Sequence, residues 1–271
     1  MTRLGTRVAL AGLSSFALAG VAPVAPASAA SDTVVSITFS DATDGQSITS
    51  VGNAGSGTTD QSVVTANGGA LTAHWSHIKS GLAARYPAYD GTAKGARAVV
   101  AVTNAGSTDV LSPGSAAFTF GADAKLDDAS TGTANDNGNN LVQRGLATQT
   151  AQYKLQLDGP RFSCRVKGDD GTLMVTSTLT TRTKRWYHAT CSRRTSAQGD
   201  SLVLRVRRVH SDGTRGPVRR TISATGPVGS LTFAADTPFS VGGKLQDATT
   251  VATPSDQWNG VVDSAFLRVS S

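Results

Sequence analysis

The stretch KRWYHATC, residues 184–191, sets Trp186, Tyr187, His188 and Cys191 within six consecutive positions. Tyrosine and histidine move protons, and a cysteine thiolate is a nucleophile or one half of a disulfide. If the stretch is a strand, Trp186 and His188 lie on one face while Tyr187 and Ala189 lie on the other. On the residues alone, either Tyr187 and His188 catalyse or the strand's unusual residues serve packing and covalent bracing.

Carboxylates give a second test. All 19 acidic residues are aspartates, so any mechanism that needs glutamate is excluded. Cleaving a glycosidic bond takes two carboxyl groups facing one groove. The adjacent pairs Asp127–Asp128 and Asp169–Asp170 would point to opposite faces of a strand, and both sit in turn-like sequence. A non-catalytic chain is the expectation.

Metal chemistry has two candidates. HWSH, residues 74–77, spaces two histidines three apart, but on a strand they face opposite sides, and no cysteine or helix completes a zinc set. ANDNGNN, residues 134–140, gathers Asp136, Asn137, Asn139 and Asn140 around a glycine. Such hard oxygen donors suit calcium, although Asp and Asn are also ordinary turn residues and the closing glutamate of an EF-hand is missing.

Charge is distributed unevenly. Between Arg161 and Arg220 there are 14 Arg or Lys against four Asp, within a chain of formal net charge +6. In LVLRVRRV, residues 202–209, Arg205 and Arg207 share a face with Val203 and Val209, while Leu202, Leu204 and Val206 share the other. That places a basic stripe over an apolar core face. Arginine forks suit sulfate, carboxylate and phosphate, so Arg205 and Arg207 are the candidate ligand-binding residues. The plain alternative is a solvated face in an Arg-rich chain, with 18 Arg to seven Lys.

The elements that must carry these residues read as strands. VVSITFSD, QSVVTANGGALTAHWS, ARAVVAVTN, SAAFTFGADAKL, QYKLQLDG, RFSCRVKG, TLMVTSTL, RWYHATCSRR, SLVLRVRRV, GSLTFAA, PFSVGG and VVDSAFLRVS alternate or run apolar and are rich in Val, Thr and Phe. Turn clusters such as DATDG, KGDDGT and HSDGTRGP lie between them. A short helical turn is expected near HIKSGLAARY, residues 77–86. Residues 45–70, rich in Gly, Ser and Thr, read as a long loop or ragged hairpin. Many short strands predict an all-β, two-sheet antiparallel sandwich or jelly roll.

Residues 1–29 have the basic, apolar and small-residue parts of a secretory signal peptide, with cleavage expected after Ala29. About 240 residues then remain, enough for a single large domain with its own core. In an exported chain, Cys164 and Cys191 form a disulfide or stand as two separate buried thiols, the even count favouring the bond. No membrane insertion or nucleic-acid binding is expected.

Taken in order, SAAFTFGADAKL, NNLVQRG, YKLQLDGPRFSCRVKG, KRWYHATCSRR with DSLVLRVRRV, PFSVGGKL and QWNGVVDSAFLRV resemble the laminin G-like group of concanavalin A-like jelly rolls. The resemblance spans residues 95–271 and is weaker over 30–95. It implies that the Trp-Tyr-His strand packs aromatics between two sheets, and that Cys164 braces this strand to a nearby one. It implies further that a structural calcium would be held by Asp263 of NGVVD, with Asp41 nearby. The glutamate pair of the laminarinase-type relatives of this fold is absent. Laminin G-like domains also include binders of acidic polysaccharide. The sequence thus predicts a secreted, extracellular, non-catalytic module that binds carbohydrate or an anionic polymer. The alternatives are a polysaccharide lyase, using residues such as Tyr153, Tyr187 and His188, and a structural or protein-interaction module.

Overall fold

The computed structural model describes residues 31–39, 42–76, 81–88, 92–130, 132–133 and 137–270. Asp41, Asp136 and His77 lie outside these. Among the described residues every regular element is a strand. In chain order they are β1 (Ser31–Thr38), β2 (Ser47–Ile48), β3 (Gly52–Asn53), β4 (Thr59–Ala66), β5 (Leu71–Trp75) and β6 (Leu82–Arg85). The middle of the chain forms β7 (Arg97–Asn104), β8 (Phe118–Leu126), β9 (Asn139–Arg144), β10 (Gln152–Asp158), β11 (Arg161–Lys167) and β12 (Thr172–Thr176). The rest forms β13 (Trp186–Ser196), β14 (Gly199–Val209), β15 (Arg215–Gly226), β16 (Phe239–Val241) and β17 (Gly260–Ser270).

They build two antiparallel sheets. The larger runs β15-β14-β13-β8-β17-β6-β5-β2, with β1 beside β17 and β3 beside β1; the smaller runs β12-β11-β10-β9-β16-β7-β4. Alternation decides which face each strand buries. On β14, Leu202, Leu204 and Val206 point inward and join the common core, as do Phe118, Phe120, Ala122 and Ala124 on β8. Tyr153 of β10 meets them from the smaller sheet, with ring centres 5.3 Å from Phe118 and 5.0 Å from Phe120. Its hydroxyl donates to the Leu111 carbonyl at 3.1 Å, so the one polar atom of this buried ring is satisfied.

Cys164 of β11 and Cys191 of β13 are bonded to each other, with Cα atoms 6.0 Å apart. The bond ties the smaller sheet to the larger through the core.

The N-terminal segment departs from its expected form. QSVVTANGGALTAHWS is not one strand: β4 pairs with β7 in the smaller sheet, while β5 pairs with β6 and β2 in the larger. The chain crosses between sheets at Asn67–Gly68, both with positive φ, and Gly69 N–H donates to Ala66 at 3.1 Å to close the turn. A Cβ at Gly69 would meet the Arg97 backbone at 2.2 Å, so that approach needs glycine. Within 45–70 the loop reading also fails for Thr59–Ala66, an eight-residue strand along β7. The helical turn expected near HIKSGLAARY is likewise corrected over Leu82–Arg85, which is strand, because β5 and β17 offer backbone partners on either side.

A satellite core of Val64, Val99, Ala101, Leu245 and Val251 lies on the outer face of the smaller sheet. It anchors the segment after β16, where Leu245 bridges to Val251, and this segment walls one side of a trough.

Candidate functional site

The strand that carries Trp186, Tyr187 and His188 divides as alternation requires. Tyr187 points into the sandwich, its ring 6.2 Å from Phe162, and its hydroxyl accepts the Arg182 N–H at 3.0 Å. Trp186 and His188 point out of the larger sheet, so of the three aromatic side chains it is Tyr187 that packs between the sheets. Trp186 lies 5.8 Å from the Lys125 ammonium. His188 Nδ1 is 2.7 Å from Asp123 Oδ1, and Arg215 Nη2 donates to Asp123 Oδ2 at 2.9 Å. The His188 ring stacks on Phe266. Burial would push the Asp123 carboxyl up, but its bonds to and the charges of His188 and Arg215 outweigh burial and hold it below the ordinary carboxylate value. Tyr153, a candidate proton-transfer group, is sealed in the core, where burial drives its hydroxyl far above the usual phenol value.

On the same outer face, Arg205 is half-buried on β14. It lines a cleft of about 840 Å³ together with Arg194 of β13, Arg268 of β17, Thr119 of β8 and Ser192 of β13. Burial and the neighbouring Arg194 and Arg207 charges all lower the Arg205 guanidinium from its usual value. Among the described residues no aspartate lines this cleft. Arg193, also in its wall, is neutralised by a two-pronged pair with Asp200 at 3.0 and 3.1 Å. Arg207 falls elsewhere: it sits opposite His188 across the β13–β14 ladder and does not line the cleft. At the cleft Arg205 is joined by Arg194 and Arg268, with the Arg207 charge close enough to act on Arg205.

Of the expected calcium residues Asp263, Asp41 and Asp136, only Asp263 is among the described residues. Asp263 is buried on β17, opposite Asp123 in strand register. Asn139 and Asn140 belong to β9 rather than to a loop; Asn139 Oδ1 accepts the Asn259 N–H at 3.2 Å and Asn140 Nδ2 donates to Gln143 at 2.9 Å. Among the described residues no group of three or more His, Cys or Asp side chains gathers as a metal set. His74 Nε2 lies 3.2 Å from Arg85 Nη2, and burial, then the Arg85 charge, lowers its imidazole.

The outer face of the smaller sheet holds a trough that the sequence analysis missed. Gln152, Lys154 and Gln156 of β10 and Ser163 and Arg165 of β11 form its floor, and the segment from Lys244 to Pro254 forms a wall. One cavity of about 330 Å³ lies at this end, and a second of about 380 Å³, lined by Asp158 and Asp256, shares Lys154 and Gln156 with it. Lys244 Nζ pairs with Asp256 Oδ2 at 2.7 Å. Ser163 Oγ donates to Asp158 Oδ2 at 2.6 Å. Gln152 Oε1, Asn140 Oδ1 and Asp256 Oδ1 are buried without a hydrogen-bond partner. The signal was the polar alternation of QYKLQLD, but any solvated strand face reads the same way.

No family model matches the chain, and no curated protein matches it. Solved structures do. The binding domain of Paraclostridial Mosquitocidal Protein 1 aligns over 88% of this chain and 49% of its own, at 10% identity and a TM-score of 0.52. The binding domain of botulinum neurotoxin serotype D/C VPI 5993 aligns over 88% and 48%, at 9% identity and a TM-score of 0.53. The LG1-3 region of the laminin alpha2 chain aligns over 80% and 32%, at 12% identity and a TM-score of 0.42. This chain spans about half the length of the two toxin domains. Identity this low carries fold alone, and the fold is an all-β, two-sheet antiparallel jelly roll.

Proposed function

We propose that this chain is an exported, non-catalytic binding module that holds a carbohydrate or other extracellular polymer bearing anionic groups. The supporting observation is the cleft lined by Arg194, Arg205 and Arg268, with no aspartate among its described lining residues. Like charges held together on a sheet face repel, and an anion relieves that repulsion. Arginine forks with Thr119 and Ser192 beside them suit sulfate or carboxylate oxygens. The disulfide agrees with an oxidising, extracellular destination. Asp263 remains the proposed contributor to a structural calcium.

The test is a polyanion column, heparin for instance, eluted with salt in the presence and absence of calcium. Elution above physiological salt, shifted to low salt in Arg205→Ala/Arg268→Ala, is expected. Flow-through of the unaltered protein, or equal elution of the variant, overturns the reading. A rise in ultraviolet absorbance on uronate polymers would instead support a lyase, and selective capture of a protein with no glycan bound would favour an interaction module.

A further inference from the structure

We propose that the trough on the smaller sheet is a saccharide site, separate from the arginine cleft, and that its ligand carries a carboxylate seated between Lys154 and Arg165.

The shape is the first support. The two cavities share Lys154 and Gln156, so they form one elongated site of the size that holds small ligands. Its wall is tied down by the satellite core beneath the segment after β16.

Unmet hydrogen-bonding capacity is the second. Buried polar atoms nearly always find partners, and those that do not call for an explanation. Here Gln152 Oε1 and Asp256 Oδ1 are both buried, both acceptors and both unpartnered, on residues lining the two ends of the site. A ligand rich in hydroxyl donors satisfies them, and sugars are that ligand class. Gln152 is held in place because its Nε2 donates to the Gly145 carbonyl at 3.1 Å.

Charge is the third, and it selects among sugars. Among the described residues the first cavity is lined by Lys154, Arg165 and Lys244 and by no aspartate. Lys244 is neutralised by Asp256, which leaves the two cations on the floor. Across the β10–β11 ladder Lys154 and Arg165 are directly opposite each other, the spacing at which like charges repel. A carboxylate between them meets one guanidinium fork and one ammonium. The far cavity is acidic at Asp158 and Asp256, which suits hydroxyl donors. Met174, 60% exposed, and Pro254 supply apolar contact for a sugar ring.

Because the trough and the arginine cleft lie on the outer faces of opposite sheets, one molecule could hold two polymer chains at once. The two sites are tested apart by calorimetric titration with a galacturonate trisaccharide, the neutral galactose trisaccharide and sulfated dextran. The galacturonate probe is expected to bind the unaltered protein, and to weaken about tenfold in Lys154→Met, the loss of one charge-assisted hydrogen bond. Arg205→Ala/Arg268→Ala should leave that affinity unchanged while losing sulfated dextran. Lys154→Gln serves as a second variant should the first fail to fold. No binding of the galacturonate probe, equal binding of the neutral one, an unaltered affinity in both Lys154 variants, or loss in the arginine variant each overturns the proposal.

Discussion

His188 Nδ1 lies 2.7 Å from Asp123 Oδ1, across strands β13 and β8, which are 65 residues apart at these positions. With Arg215 on the other carboxylate oxygen, a buried aspartate, an imidazole and a guanidinium form a chain along the outer face of the larger sheet. The contact accounts for His188 without a substrate. It also binds together β15, β13 and β8, of which only β13 and β8 share a backbone ladder.

His188→Ala should lower unfolding free energy at pH 7 by about 2 kcal/mol, the cost of removing one partner from a buried charged group that keeps another. Urea denaturation reads it, and an unchanged midpoint would show that the pair contributes nothing. Because the Asp123 carboxyl is held low, its stabilisation is complete above the ordinary value of 3.8 and is lost as pH falls below it. Asp123→Asn should therefore lose less stability than the unaltered protein on acidification below that value.

The disulfide closes a separation of 27 residues and should contribute about 3 kcal/mol by restricting the unfolded chain. Unreduced, denatured protein should show no reactive thiol, and Cys164→Ala/Cys191→Ala should melt at a markedly lower temperature. Alkylation of both cysteines without reductant would contradict the bond.

How much of this was legible beforehand follows from the range of each signal. The faces of β14 could be read from LVLRVRRV because alternation is local. The same holds for the two faces of the Trp-Tyr-His strand. Pairing across the sheets was not legible: Asp123 in GADAKL carries no mark that it will meet His188, and Arg268 in AFLRVSS looks like one more solvated cation. The trough needs β10, β11 and the segment after β16 brought together, and that depends on β16 lying between β9 and β7. At ANGG, a turn sequence that ordinarily joins a hairpin instead passes the chain from one sheet to the other, since β7 competes for β4.

Gly242, in the VGG of PFSVGGKL, has φ +81, and a Cβ there would sit 2.0 Å from ring atoms of Tyr86. Tyr86 is buried and its hydroxyl donates to the Val241 carbonyl at 2.9 Å, so the ring has no room to withdraw. Both the backbone angle and the space exclude a side chain. Gly242→Ala should destabilise by more than about 3 kcal/mol, seen as a fall in the urea midpoint. A variant as stable as the unaltered protein would mean that Tyr86 can move.

Lys154 offers a prediction that needs no ligand. Burial lowers its ammonium from 10.5 to about 8, with Lys244 and Arg165 adding to the effect and Asp256 and Asp158 opposing it. Below about pH 8 the folded and unfolded chains both carry the proton, and the cost of the confined charge is at its greatest. Between about 8 and 10.5 the unfolded chain still holds a proton that the folded chain has released, so this residue makes stability rise with pH. Lys154→Met has no such slope and fills similar space with an apolar chain. It should be the more stable protein at pH 7, and its advantage should shrink by on the order of 2 kcal/mol as pH is raised through that window. Taking the difference between the two proteins removes the titrating groups that do not interact with Lys154, and urea denaturation at pH 7 and pH 10 reads it. A constant difference across that range would show that the Lys154 ammonium is solvated in the open trough, and that the repulsion argued for Lys154 and Arg165 is too weak to select a carboxylate.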